Sequence, residues 1–221
     1  MRIFQRQFTI LIGLSFMFFF QCHKPQEKMP ISIDMEKKTL SFQGVIYPER
    51  YNSRKDRANG HHLIVWSGGG NARKALINTE SPDIEILNAL TTIGAIPGNN
   101  LSPETWTDRD DPNSPEPDKL VEGDEISIKV TWDDVAHNID ELLLDTSKDD
   151  LEIRFGGHAE LIPVWKSGCI TCLFSCPGGR TSNASYSIRD QHLNHKTFMA
   201  DQSKLPPDGT NVRIFIKIIT D

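Results

Sequence analysis

The stretch EISIKVTW (125–132) alternates apolar and polar side chains without a break. That period of two belongs to a strand, whose successive side chains point to opposite faces, and not to a helix with its period of 3.6. The chain must therefore build a sheet with one buried face. TNVRIFIKIIT (210–220) repeats the pattern more loosely and reads as a closing core strand. KTLSFQGVIYPER (38–50) alternates around Leu40, Phe42, Val45 and Tyr47, with Gly44 reading as a bend. HHLIVW (61–66), stopped by Gly68, Gly69 and Gly70, and KALINTE (74–80) are further short strands, and LEIRFGGH (151–158) reads as a strand followed by a turn. Only SPDIEILNALTTIGAIPG (81–98) changes period. Ser81 as cap, Pro82 in the first turn, Asp83 and Glu85 at the positive end of the dipole and an apolar face of Ile84, Leu87, Ala89, Leu90 and Ile93 predict a helix over about 82–93, ended by Gly94. Residues 97–124, rich in Pro, Asn and Asp, read as a long exposed acidic loop. The expected fold class is α+β: one β-rich domain with one main helix.

With 24 basic and 30 acidic residues the chain carries a formal charge of −6, and its Lys and Arg residues are scattered. Binding to a nucleic-acid backbone needs a basic stripe, so that class of partner is excluded. The amino terminus is different from the rest. MRIFQRQ is basic, Phe8 to Phe20 is continuously apolar, and Cys22 precedes the polar stretch HKPQEKMP. Residues 1–21 have the pattern of an export signal, too short for a comfortable membrane span. A hydrophobic core ending at a cysteine resembles the signal of a bacterial lipoprotein. Phe19, Phe20 and Gln21 stand where the usual pattern has small residues, a looser box of spirochaete-like kind. The expectation is a lipidated Cys22, a polar tether over 22–36 and a domain over 37–221, held by acyl chains at the periplasmic or surface face of a cell-envelope membrane.

The order of pieces, from HHLIVWSGGGNARKALINTESPDIEILNALTTIGAIPGNN to the GDEISIKVTW strand, resembles the YdjY-domain family of bacterial proteins. The likeness covers roughly residues 38–135 and continues more loosely to the end. Its most specific piece is NALTTIGAIPG, where Gly94 and Gly98 serve turn geometry. The resemblance implies an exported or membrane-associated domain, sometimes described as ferredoxin-like, and carries over no catalytic residue.

The chemistry-bearing motif is WKSGCITCLFSCPGG (165–179), in which Cys169, Cys172 and Cys176 form C-x2-C-x3-C before Pro177. It matches the tail of a bacterial ferredoxin run without its first cysteine. A C-x2-C turn aims two sulfurs at one centre and a third can complete a face of a tetrahedron, which suits zinc or an iron–sulfur cluster. His158, after two glycines, is the first candidate for a fourth ligand, and His61 and His62 come second. Three other readings stay open: a disulfide with a spare thiol, a redox dithiol, and plain burial. Pro177, Gly178 and Gly179 forbid the long helix that follows a thioredoxin-type pair.

Weaker signals are read as structural. WSGGGNARK lacks the Gly-Lys-Ser/Thr of a phosphate loop. Asp108, Asp110 and Asp111 lack the partners of a calcium loop. His192 and His195, three apart, suit a metal on a helix and read as readily as surface histidines, and Arg180 and Asn183 read as parts of a hydrogen-bonded connection, or as anion-binding groups if the cysteines form a site. No complete catalytic set is found. The favoured reading is a lipid-anchored, non-catalytic binding module with an unknown protein or small-molecule partner; the alternative is a metal-binding or ferredoxin-like redox protein.

Overall fold

The computed structural model describes residues 31–53, 60–145, 151–193 and 196–219. The segment read as an export signal, Cys22 and His195 lie outside the described residues. Among the described residues no helix is long and apolar enough to cross a membrane.

Twelve strands and five short helices make up the described chain. The strands are β1 (Ser32–Asp34), β2 (Thr39–Ile46), β3 (His62–Trp66), β4 (Ile77–Thr79), β5 (Ile126–Trp132), β6 (Val135–Asn138), β7 (Leu143–Asp145), β8 (Ile153–Arg154), β9 (Cys169–Cys172), β10 (Thr181–Asn183), β11 (Phe198–Ala200) and β12 (Thr210–Ile218). The helices are α1 (Pro48–Asn52), α2 (Asp83–Thr92), α3 (Glu104–Thr107), α4 (Ile162–Trp165) and α5 (Ile188–His192). Ten strands share one sheet in the order β6-β5-β12-β2-β4-β3-β9-β10-β8, with β1 added against β2; β7 and β11 pair separately. The sheet is mixed: β3 runs parallel to β4 and β9 parallel to β10, while the other pairs are antiparallel.

The alternating segments form the sheet's longest ladders. The carboxy-terminal strand β12 sits between β2 and β5, placing Ile214 opposite Phe42 and Val130 and Ile216 opposite Leu40 and Ile128. All six side chains are buried, each worth about 1.5–3 kcal/mol of transfer free energy. Gly44 lies within β2 and is required by packing, not by a bend. A β-carbon there would stand 2.7 Å from Ile214 Cδ1 and 2.9 Å from Ile77 Cγ2. The domain also starts earlier than the tether boundary suggests, because β1 occupies 32–34 and pairs with β2.

The main helix falls at Asp83–Thr92, with Gly94 beyond its end at φ +93°. Pro82, not Ser81, holds the N-cap position, and no side chain caps it. The buried face is Ile86, Ala89, Leu90 and Ile93, while Ile84 is exposed, so the helix is rotated from the face expected. Gly98 serves close approach: a β-carbon would stand 2.2 Å from the Glu122 carbonyl oxygen.

The acidic segment 97–124 is less open than its composition implies. It contains α3 and a 3-10 turn at Glu116–Asp118, and buries Leu101, Thr105, Pro117 and Val121. Arg189 of α5 ties it down, donating to Asp118 Oδ1 at 2.9 Å, to the Asp111 carbonyl at 2.9 Å and to the Ser114 carbonyl. Asp108 accepts from Ser114 Oγ, Asp111 from the Asn113 N–H, and Asp110 meets His192. These three acids are engaged in loop contacts.

Candidate metal centre

The cysteines lie at the β3–β9–β10 end of the sheet, and C-x2-C is a strand there, not a turn. In a regular strand residues 169 and 172, an odd number apart, face opposite sides. The β3–β9 register breaks this rule. His62 lies opposite Cys172, Ile64 opposite Thr171 and Val65 opposite Cys169, so one extra residue is inserted on each strand in turn. The irregularity lets Cys169 and Cys172 converge with His62: Nδ1 or Nε2 of the histidine and the two sulfurs all lie within 4.8 Å of one another.

Within this group His62 Nδ1 is 3.1 Å from Cys169 Sγ, and Asn71 Nδ2 donates to the same sulfur at 3.8 Å. Hydrogen bonding from Cys172, followed by the charge and hydrogen bond of His62, holds the Cys169 thiol well below its ordinary pKa, although burial opposes this. Cys172 is driven the other way, because it donates to Cys169, bonds with Cys176 and is buried. Of the pair, Cys169 is the sulfur whose surroundings favour the thiolate, and Cys172 the one whose surroundings favour the thiol.

The turn after the cysteines wraps the sulfurs in backbone. A β-carbon on Gly179 would stand 3.1 Å from Cys172 Sγ, and one on Gly178 3.5 Å from Cys176 Sγ. Glycine at 179 lets main chain approach where a side chain would crowd Cys172. Beneath lies Arg180, 1% exposed, donating to the carbonyls of Gly157, His158 and Gly178 at 2.6–2.8 Å. An arginine keeps its proton, so this buried cation needs a counter-charge. The nearby acid Asp83 is pushed up by burial despite the pull of Arg180, and Asp83 and the three cysteines all favour the charged guanidinium.

His158 is placed differently from the sequence expectation. It sits at φ 52°, donates its N–H to Asn99 Oδ1 at 2.8 Å, and accepts from the Leu101 N–H through Nε2 at 3.2 Å. Burial, helped by Arg180, lowers its pKa to about 4, so it is neutral at pH 7. It supports the Arg180 floor through its carbonyl and is not in the group that converges on one point. The second-choice histidine, His62, is. His61 packs against it with ring centroids 3.8 Å apart and the planes tilted by 45°, and its Nδ1 is 2.9 Å from Gln191 Nε2. Arg180 and Asn183 are both fully enclosed, Asn183 donating to the Leu173 carbonyl and accepting from the Glu152 and Ser185 N–H groups.

A cavity of about 390 Å³ opens beside the group, with His62, Cys169 and Cys176 in its wall. Trp106 from α3 and Trp165 from α4 flank it, and Asn71 and Lys74 add polar groups. Sequence reasoning missed these four. Trp106 lies in the acidic segment read as solvated loop, and nothing local signals that the segment folds back.

The donor set suits a metal ion. Zinc–sulfur bonds near 2.3 Å at a tetrahedral angle separate two ligand atoms by about 3.8 Å, which a group already within 4.8 Å reaches with small side-chain movements. A disulfide between Cys169 and Cys172 fits poorly. Three extended residues cover roughly 10 Å, and two bridged α-carbons lie less than about 7 Å apart. All three thiols are unbonded.

The architecture is thus a β-rich domain with a buried thiol–imidazole group at one end of its sheet. The YdjY domain model matches residues 31–217, and the chain belongs to the YdjY domain family. The Escherichia coli (strain K12) relative described as "Uncharacterized protein YdjY" is 29% identical over 192 residues, 86% of this chain and 79% of that protein. No solved structure matches the chain.

Proposed function

We propose that this domain binds one soft metal ion, zinc or copper(I), through Cys169, Cys172 and His62, and acts without catalysis at the bacterial envelope. The observation that carries the reading is the convergence of two sulfurs and an imidazole nitrogen inside 4.8 Å at a register break. Where the ion is copper(I), Arg180 supplies a compensating positive charge, because two thiolates around a monovalent ion leave the site at −1. The narrow spacing favours a single ion over a cluster, whose cysteines must reach separate irons. Envelope attachment is supported by the apolar run Phe8–Phe20 and Cys22.

The test is elemental analysis of full-length protein purified anaerobically without chelator. About one zinc or copper per chain is expected, and Cys169→Ser and His62→Ala are each expected to lower affinity by on the order of 100-fold. Metal-free protein that takes up neither ion on titration would refute the reading. Conversion of His158 to Gln is expected to leave stoichiometry unchanged, since its imidazole faces Leu101.

A further inference from the structure

One thiol of the cluster has no part in the metal reading. Cys176 lies outside the converging group, yet it lines the cavity and hydrogen-bonds with the Cys172 thiol. The backbone brings these two residues together. Cys172 is the cross-strand partner of Ser182 in the parallel β9–β10 ladder, where neighbouring strands lie about 4.8 Å apart. Ser182 Oγ donates to the Cys176 carbonyl at 3.1 Å, and the Gly179 N–H donates to the same oxygen at 3.1 Å. Strand β9 ends at Cys172, so the chain from 172 to 176 folds back onto Ser182. A disulfide needs α-carbons within about 7 Å, a spacing open to such a turn and closed to the extended segment 169–172. Access differs as well. Cys172 is 0% exposed, whereas Cys176 is 5% exposed and faces a cavity of about 390 Å³, ample for a small oxidant. With Cys169 and Cys172 holding the ion, Cys176 is the thiol of the cluster left to react.

We propose that Cys176 is a peroxide-reactive modification site whose oxidation, resolved by Cys172 as a disulfide, releases the metal. In the first step the Cys176 sulfur attacks one oxygen of hydrogen peroxide. The O–O bond breaks, and a sulfenic acid and one water form. In the second step the Cys172 sulfur leaves the ion and attacks the sulfenic sulfur. The S–S bond forms, the S–O bond breaks, and the departing hydroxide takes a proton from solvent. Two sulfurs have then given up two electrons, and one peroxide has become two waters. The ion keeps only Cys169 and His62, and a soft ion is held weakly once a thiolate is gone. The release rests on the metal reading above and gives that site its regulation: metal is held when the cluster is reduced and shed under peroxide.

The experiment loads the full-length protein with zinc, which has no redox chemistry of its own, and adds hydrogen peroxide while a chromophoric chelator reports free zinc. The expected result is one zinc freed per disulfide formed, a Cys172–Cys176 link in peptide mass mapping, and recapture of zinc after treatment with a thiol reductant. Cys176→Ser is expected to hold zinc as tightly as the wild type and to release it under peroxide at least about tenfold more slowly. Release from Cys176→Ser at the wild-type rate overturns the inference and leaves the metal reading standing. A link to Cys169, or sulfinic acid without a disulfide, does the same. Uptake of neither zinc nor copper refutes the metal reading on its own. Where the chain takes up no zinc, mapping of the peroxide-treated protein still decides the modification, and absence of the Cys172–Cys176 link overturns it.

Discussion

The two halves of the sheet are built on opposite principles. Around β5, β12 and β2 the ladders are long and in register, and the inner face is apolar: Leu40, Phe42, Ile128, Val130, Ile214 and Ile216. Around β3, β9 and β10 the strands are short, the register slips twice, and the buried residues include His62, Thr171, Ser175, Arg180, Thr181, Ser182 and Asn183. Thr171 and Thr181 bond through their hydroxyls at 2.9 Å, and Ser175 Oγ donates to the Asn183 carbonyl at 3.0 Å. Each polar group costs free energy to bury and recovers it only by finding a partner. The apolar half therefore stores stability, and the polar half holds a fixed arrangement of donors around three thiols.

The largest effect separating the halves is expected from Ile214→Ala. It removes a fully buried side chain between Phe42 and Val130 and should cost about 2–5 kcal/mol in denaturant unfolding, with metal stoichiometry of the folded fraction unchanged. A loss of metal affinity in that variant would show that the halves are coupled.

Next comes acid. His158 is neutral in the folded chain because burial lowers its pKa to about 4, against about 6.5 when unfolded. The unfolded state binds the extra proton first, so the contribution is whole above pH 6.5 and is lost as pH falls toward 4, amounting to roughly 3 kcal/mol at most. Unfolding of the wild type and of His158→Gln at pH 7 and pH 4.5 checks this. The variant should lose less stability on acidification, and equal losses would put the acid-sensitive group elsewhere.

Smaller in stability is Gly179→Ala, whose new methyl would meet Ser182 Oγ at 2.7 Å, the Thr181 carbonyl at 2.8 Å and Cys172 Sγ at 3.1 Å. A cost of about 1–3 kcal/mol is expected, with a disproportionate fall in metal affinity on the order of tenfold. Chelator competition measures the second quantity. An affinity unchanged at reduced stability would remove Cys172 from the ligand set.

Period-two alternation determined β2, β5 and β12, because a half-buried strand writes its two faces into neighbouring residues. The main helix was legible through its Pro-Asp start and Gly94, although its buried face was not, since the side that meets the sheet depends on what α2 packs against. The C-x2-C-x3-C spacing marked the cysteines as a group. Which histidine joins them was decided by the tertiary structure: His158 follows a promising Gly-Gly pair, but Leu101 claims its Nε2, whereas His62 is brought opposite Cys172 by pairing across more than a hundred residues. Trp106 reaches the cavity because Arg189 pins the acidic segment, a contact between distant parts of the chain. Local pattern fixes what a segment is, through the faces and turns its own residues allow. Long-range pairing decides what it meets, because that depends on register, and a bulge of one residue is enough to turn two thiols toward the same point.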